Sequence, residues 1–267
     1  MATCAVGERA IGYERSGAGP PIVVINGFAA TRAGWDPDFI AGLAAGNELV
    51  LLDNRGMGES SADSEGFTIE DLAMDTAGAI ESLGLERPCV LGWSMGGFIA
   101  LALVLARPEL VGSLVLLSAH AGAGSTPASD AVYDRLHDLS GTPREQATRL
   151  ISLLFTPERA TDIDAAFGNV VAEARARLDH TVVEHQWEAM GTWAEAGVTD
   201  RLGEIACPAL VATGTEDVIC PPENAFALAS GIDDAWLARF PHSGHGFIAD
   251  RPVAVARLVA AFLAAGR

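Results

Sequence analysis

Six short runs rich in valine, leucine and isoleucine recur along the chain with helical patterns between them: Pro21 to Asn26, Leu49 to Asp53, Cys89 to Gly92, Ser113 to Ser118, Ala209 to Thr213 and Trp236 to Phe240. A strand that is apolar on both faces must be covered on both. A chain that alternates such strands with helices supplies that cover from its own crossovers. The pattern restricts the fold to the α/β class, with a mostly parallel central sheet and helices on both faces. The N-terminal stretch Thr3 to Glu14, broken at Gly7-Glu8, reads as a hairpin on the sheet edge.

The helices carry their own punctuation. Thr68-Ile69-Glu70-Asp71 offers a Thr cap and an acid three residues on, each able to satisfy free backbone N–H groups, and Gly84 fits the stop. A second helix follows the strand at Cys89 and ends near Arg107-Pro108, and a last one runs from about Arg251-Pro252 through Leu263. Between Ala119 and about Asp200 the strand signal disappears. Thr142-Pro143-Arg144-Glu145 opens a helix to Phe155, and further helical patterns cover Asp162 to Leu178 and Thr181 to Trp193. The expected organisation is one α/β core, residues 1–118 and 201–267, interrupted after the sixth strand by a helical insertion, residues 119–200. The stretch Ala121 to Ser129 is expected to be a flexible hinge into that insertion.

Charge and composition exclude several function classes. Lys and Arg number 17 against 35 Asp and Glu, a net charge of −18, and a field of that sign repels phosphate backbones and anionic lipid. Nucleic-acid binding is not expected. The apolar run Phe98 to Ala106 is far shorter than the roughly 20 residues that span a bilayer, so no membrane span is expected. The charged start, with Glu8, Arg9, Glu14 and Arg15, lacks the continuous apolar centre of a secretion signal, and the chain reads as cytoplasmic. Cys4, Cys89, Cys207 and Cys220 are scattered, without metal-ligand spacing, and read as buried thiols.

The sharpest chemical signal is Gly92-Trp93-Ser94-Met95-Gly96 between a strand and a helix. An abrupt strand-to-helix turn holds its central residue in a strained conformation, and small residues two before and two after avoid the clash. Ser94 would then project at a helix N-terminus, where the dipole and free N–H groups favour negative charge. A serine hydroxyl needs a base that is itself oriented by an acid. Asp217 follows the strand Ala209 to Thr213 and outranks its neighbour Glu216. His245, flanked by Gly244 and Gly246, follows the strand Trp236 to Phe240 and outranks His242. Both stand where ligands bind in open α/β sheets. Two backbone donors are expected for an oxyanion: the N–H of Met95, and that of Phe28 in the turn Asn26-Gly27-Phe28.

With Asn26-Gly27-Phe28, Asp53-Asn54-Arg55-Gly56-Met57-Gly58-Glu59-Ser60, the Ser94-Met95-Gly96-Gly97 elbow, Asp217 and His245, the chain resembles the α/β-hydrolase superfamily over essentially its whole length. The elbow is similar to those of capped serine esterases, enol-lactonases, meta-cleavage C–C hydrolases and cofactor-free perhydrolases or haloperoxidases. The resemblance implies an α/β-hydrolase fold with a helical cap, Ser94 as nucleophile, His245 as base and Asp217 as its orienting acid. Many relatives carry His where Asn26 stands, and Asn26 reads as a structural substitute. The Asp53 to Ser60 segment reads as a sheet-top turn held by Arg55. Phe28, Trp93, Trp187 and Trp193 are the expected substrate contacts, with Phe155 and Met190 also in the cap.

These readings converge on a hydrolase of a small, largely apolar ester or lactone that needs no metal or organic cofactor. The same triad would serve a C–C bond hydrolase or a perhydrolase, and a small-ligand receptor on this fold is the more distant alternative. Epoxide and haloalkane chemistry would need a carboxylate in place of Ser94, and a nicotinamide enzyme would need a Gly-x-Gly-x-x-Gly after a strand.

Overall fold

The structure, a computed structural model, describes residues 2–62 and 65–266. In chain order its strands are β1 (Ala2–Val6), β2 (Arg9–Gly17), β3 (Pro21–Ile25), β4 (Glu48–Leu52), β5 (Cys89–Trp93), β6 (Ser113–Leu117), β7 (Ala209–Gly214) and β8 (Ala235–Phe240). They form one sheet in the order β1-β2-β4-β3-β5-β6-β7-β8. The β1–β2 hairpin, turning at Gly7 (φ 59°), pairs antiparallel with β4, and every later pairing is parallel.

The central strands are apolar on both faces because both faces are covered. In β3, Val23 and Ile25 enter one core with helices α2 (Ile69–Ser82) and α3 (Met95–Ala106), while Ile22 and Val24 enter the other with α1 (Pro37–Ala44) and α10 (Pro252–Ala265). Each such side chain contributes about 1.5–3 kcal/mol by leaving water. Helix α2 starts at the expected capping box, with Thr68 accepting from the Asp71 N–H and Asp71 from the Thr68 N–H. Helix α1 lies outside the sequence reading, although Asp36 caps it by accepting from Asp38 and Phe39 N–H.

Between β6 and β7 the chain forms α4 (Asp130–His137), α5 (Pro143–Leu154), α6 (Pro157–Arg175) and α7 (His180–Glu195). Arg144 of α5 holds Asp164 of α6 at 2.7 and 2.8 Å. The segment from 121 to 129, expected as a flexible hinge, carries Gly122 and Gly124 at positive φ but is pinned along its length. Ala121 O accepts the Val198 N–H at 2.7 Å, and Thr126 exchanges two hydrogen bonds with the Asn224 side chain. Helices α8 (Glu223–Gly231) and α9 (Phe247–Asp250) complete the fold.

All four cysteines are free and buried. Burial pushes the Cys89 thiol up to about 12, which leaves it unreactive at neutral pH. No helix among the described residues is long and apolar enough to cross a membrane. A cavity of about 240 Å³ lined by Pro21, Arg87, Ser113 and Phe262 opens at the strands' N-terminal ends, opposite the end of the sheet that carries Ser94, Asp217 and His245.

Candidate active site

Ser94 turns β5 into α3 with φ 56° and ψ −123°, a backbone conformation that L-residues adopt only under surrounding constraint. Two glycines make the turn possible. A Cβ on Gly92 would lie 2.1 Å from the Gly96 carbonyl oxygen, and one on Gly96 would lie 2.3 Å from that of Ile25. The Ser94 N–H donates to Leu117 O at 2.9 Å and ties the elbow to β6, while Ser94 O accepts the Gly97 N–H at 2.8 Å.

The turn after β3 abuts this elbow. A Cβ on Gly27 would meet Ser94 Cβ at 3.1 Å, so the backbone of Gly27 and Phe28 passes directly beside the serine. Asn26 holds the turn: its Nδ2 donates to Leu52 O at 2.8 Å, and its carbonyl accepts Asn54 Nδ2 at 3.1 Å. The segment from Asp53 to Ser60 is anchored by Arg55, whose Nε and Nη2 grip the Asp75 carboxylate at 2.7 and 2.9 Å. Asp53 accepts from the Arg32 guanidinium, its backbone N–H and the Glu59 N–H. Among the described residues no hydrogen bond engages the backbone N–H of Phe28 or of Met95.

Asp217 and His245 meet in the interior. His245 Nδ1 lies 3.0 and 2.9 Å from the two Asp217 oxygens, and the side chains are 2% and 0% exposed. Asp217 is fixed in turn by the Ile219 and Cys220 N–H groups, both donating to its Oδ1. One residue earlier in the acid loop and three earlier in the histidine loop, Glu216 and His242 form a parallel pair at 3.3 Å, but 47% and 87% exposed. The preference for Asp217 over Glu216 and His245 over His242 therefore corresponds to a difference between interior and solvent.

The histidine loop is held from both sides. Trp93 stacks toward the His245 ring with centroids 5.4 Å apart, and its Nε1 donates to His245 O at 3.2 Å. From the insertion, Leu154 O at the end of α5 accepts the Gly246 N–H at 2.7 Å, and Arg159 of α6 pairs with Asp250 at 2.7 Å. Phe155 packs against Gly246. No hydrogen bond joins Ser94 Oγ to His245 among the described residues; such contacts are commonly loose without substrate and tighten on binding.

The aromatic residues expected to contact substrate divide. Trp187 stands 5.7 Å from Phe28 and stacks on His137 at 4.4 Å with the rings 4° from parallel, so the three rings form one row beside the turn after β3. Trp193 is 2% exposed, stacks on Phe98 at 5.9 Å and donates to His120 O at 3.3 Å. It is a core residue rather than a pocket wall, because the apolar stripe of α7 through Val182, Val183 and Ala189 turns it inward. Trp93 supports the His245 loop from below.

Two residues near the site escaped the sequence reading. Gln186, fully buried on the same stripe of α7, accepts the Ala29 N–H at 2.8 Å through Oε1. Its signal was a polar residue at an apolar helical position. His120 lies three residues past β6, the same offset that Asp217 has from β7. Burial, with His245 as the second cause, pushes its pKa down to about 4. Among the described residues no group of three or more His, Cys, Asp or Glu side chains is placed to hold a metal ion.

A family model described as the alpha/beta hydrolase fold matches residues 20–252. The chain is 31% identical to the "Putative non-heme bromoperoxidase BpoC" of Mycobacterium tuberculosis, over 95% of its own length and 97% of that protein's. It is 29% identical to a 2-hydroxy-6-oxononadienedioate/2-hydroxy-6-oxononatrienedioate hydrolase of Paraburkholderia xenovorans, with 97% and 92% covered. The solved enol-lactonase of Burkholderia xenovorans has the same fold, with a TM-score of 0.86 at 24% identity over 98% of this chain and 100% of that one.

Proposed function

Since the chain belongs to the α/β-hydrolase family, we propose that it is a serine hydrolase that cleaves a small, largely apolar carboxylic ester or lactone through an acyl-enzyme. The observation that carries the reading is the buried Asp217–His245 pair whose loop is bonded to Trp93, the residue before a serine strained at a helix N-terminus. Asp217 accepts the Nδ1 proton of His245 and so leaves the Nε2 lone pair free to take the Ser94 proton. Ser94 Oγ then bonds to the substrate carbonyl carbon. The resulting oxyanion is met by the Phe28 and Met95 N–H groups, each worth about 3 kcal/mol of transition-state stabilisation. His245 returns the proton to the leaving oxygen, and a water activated by His245 releases the acid.

The same triad would hydrolyse a C–C bond or pass the acyl group to peroxide. A dianionic ring-cleavage product would call for cations in the pocket, and the two arginines at the sheet top, Arg32 and Arg55, are already engaged by Asp53 and Asp75. That favours uncharged esters and lactones. The insertion, with Phe28 facing Trp187, acts in this reading as the cap over an apolar group.

The test is hydrolysis of small p-nitrophenyl esters and labelling by a fluorophosphonate, run beside a ring-cleavage product and a peroxide assay. Ser94→Ala is expected to abolish ester turnover and labelling with an unchanged circular dichroism spectrum. Full labelling of that variant would overturn the assignment.

A further inference from the structure

The imidazole of His120 sits beside the strand that leads to Ser94 and takes no part in the steps above. It is fixed from three directions. Its ring lies 4.2 Å from that of Phe98, on the first turns of α3 behind Ser94. Its carbonyl accepts the Trp193 indole N–H at 3.3 Å, and its Nδ1 accepts the Gly122 N–H at 3.1 Å. An Nδ1 that accepts leaves the ring proton on Nε2.

That Nε2–H makes no hydrogen bond among the described residues, yet it is not one of the sealed, orphaned polar atoms of the interior. It therefore keeps some solvent-accessible surface, on a side chain that is only partly buried. The residue before His120, Ala119, lies against Gly97 at the start of α3, and burial, with His245 close enough to act as a second cause, keeps the ring uncharged at neutral pH. A neutral N–H can donate to an ether, keto or hydroxyl oxygen without a counter-charge, and the chain's net charge of −18 weighs against an anionic acceptor.

We propose that His120 is a substrate-positioning residue whose Nε2–H donates to a second, uncharged oxygen that the ester or lactone carries besides its reacting carboxyl group. The proposal rests on the serine-hydrolase reading of Ser94 and narrows it to oxygen-bearing apolar substrates.

Two isosteric pairs test it: p-nitrophenyl methoxyacetate against p-nitrophenyl butanoate, and 1,4-dioxan-2-one against δ-valerolactone. The readout is the ratio of kcat/KM within each pair, which cancels each substrate's intrinsic reactivity when variants are compared. His120→Phe is expected to lower the ratio about five- to tenfold in at least one pair, through KM, and His120→Gln to restore it to within about twofold. An unchanged ratio in both pairs overturns the proposal while leaving the nucleophile assignment standing. Equal losses on all four substrates in both variants mark a purely structural ring and overturn it too. A wild-type protein that turns over none of the four and is not labelled at Ser94 removes the underlying reading, and the proposal with it.

Discussion

Gln186 Oε1, midway along α7, accepts the backbone N–H of Ala29 at 2.8 Å across 157 residues of sequence. Ala29 has φ 51° and directly follows Phe28, so a residue of the insertion clamps the turn that carries one proposed oxyanion donor. The amide's other end, Nε2, is buried without a partner among the described residues.

Gln186→Leu is therefore expected to separate stability from activity. Leaving the Ala29 N–H without its partner costs about 1–3 kcal/mol, while removing a sealed, unsatisfied N–H₂ group returns a similar amount. Urea denaturation should show a stability within about 1 kcal/mol of wild type. Ester kcat should fall roughly tenfold because the Phe28 N–H is no longer held in place. A parallel collapse of both quantities would show that Gln186 acts on the fold alone.

The glycines at the elbow differ in what surrounds them. A Cβ at Gly92 meets backbone atoms at 2.1 and 2.3 Å, which cannot retreat without dismantling the turn, and Gly92→Ala should lose more than about 3 kcal/mol or fail to fold. At Gly27 the nearest atoms are Ser94 Cβ at 3.1 Å and Trp93 O at 3.2 Å, contacts that yield to shifts of tenths of an ångström. Gly27→Ala should fold with a near-native urea midpoint and label more slowly with fluorophosphonate, since what yields is Ser94 itself.

The neighbouring carboxylate–imidazole pairs Asp217–His245 and Glu216–His242 make a matched comparison. Asp217→Asn should lower kcat by about 10³–10⁴-fold, because an amide cannot hold the His245 tautomer that leaves Nε2 free. Glu216→Gln, one residue away in a solvent-exposed pair, should leave kcat within about twofold. Equal effects from both variants would mean that the site is assembled differently from the buried pair.

Much of this was legible in the chain itself, for a physical reason that also sets its limit. Apolar runs and capping residues act locally: the ends of the six apolar runs fell within one residue of their observed positions, the edge hairpin stopped three residues short of the end of β2, and Thr68, Thr142 and Gly84 marked real helix boundaries. The elbow was readable because a strained turn demands small residues beside the central one, and the two loops because each follows an apolar strand in the order Ser, Asp, His. Helix α4, with no buried residue, leaves no apolar stripe to detect. Gln186 and His120 acquire meaning only through partners distant in sequence, and Trp193 looked like a pocket aromatic until its packing on Phe98 was visible.

His120 also predicts a pH dependence of stability. Its folded pKa of about 4 lies below the ordinary 6.5, so between those values the unfolded chain binds a proton that the folded chain refuses. Stability contributed by the neutral ring is full above about pH 6.5 and is lost as pH falls toward about 4, by up to about 3 kcal/mol. His120→Phe should flatten that part of the acid limb, measured as urea-unfolding free energy at intervals from pH 7 to 4. An unchanged difference between the two proteins across that range would place the ring in a more open environment.

The anchoring of the His245 loop restricts how a substrate can enter. Lifting the insertion as one rigid flap would tear Leu154 from Gly246 and Arg159 from Asp250, and would drag the imidazole away from Asp217 in the same movement. Helix α4 carries no such tie to the His245 loop among the described residues and rests on the rest of the molecule through partly exposed contacts such as His137 with Glu184 and Trp187. In the proposed reading, the inner half of the insertion moves with the His245 loop, and α4 forms its more loosely held outer edge.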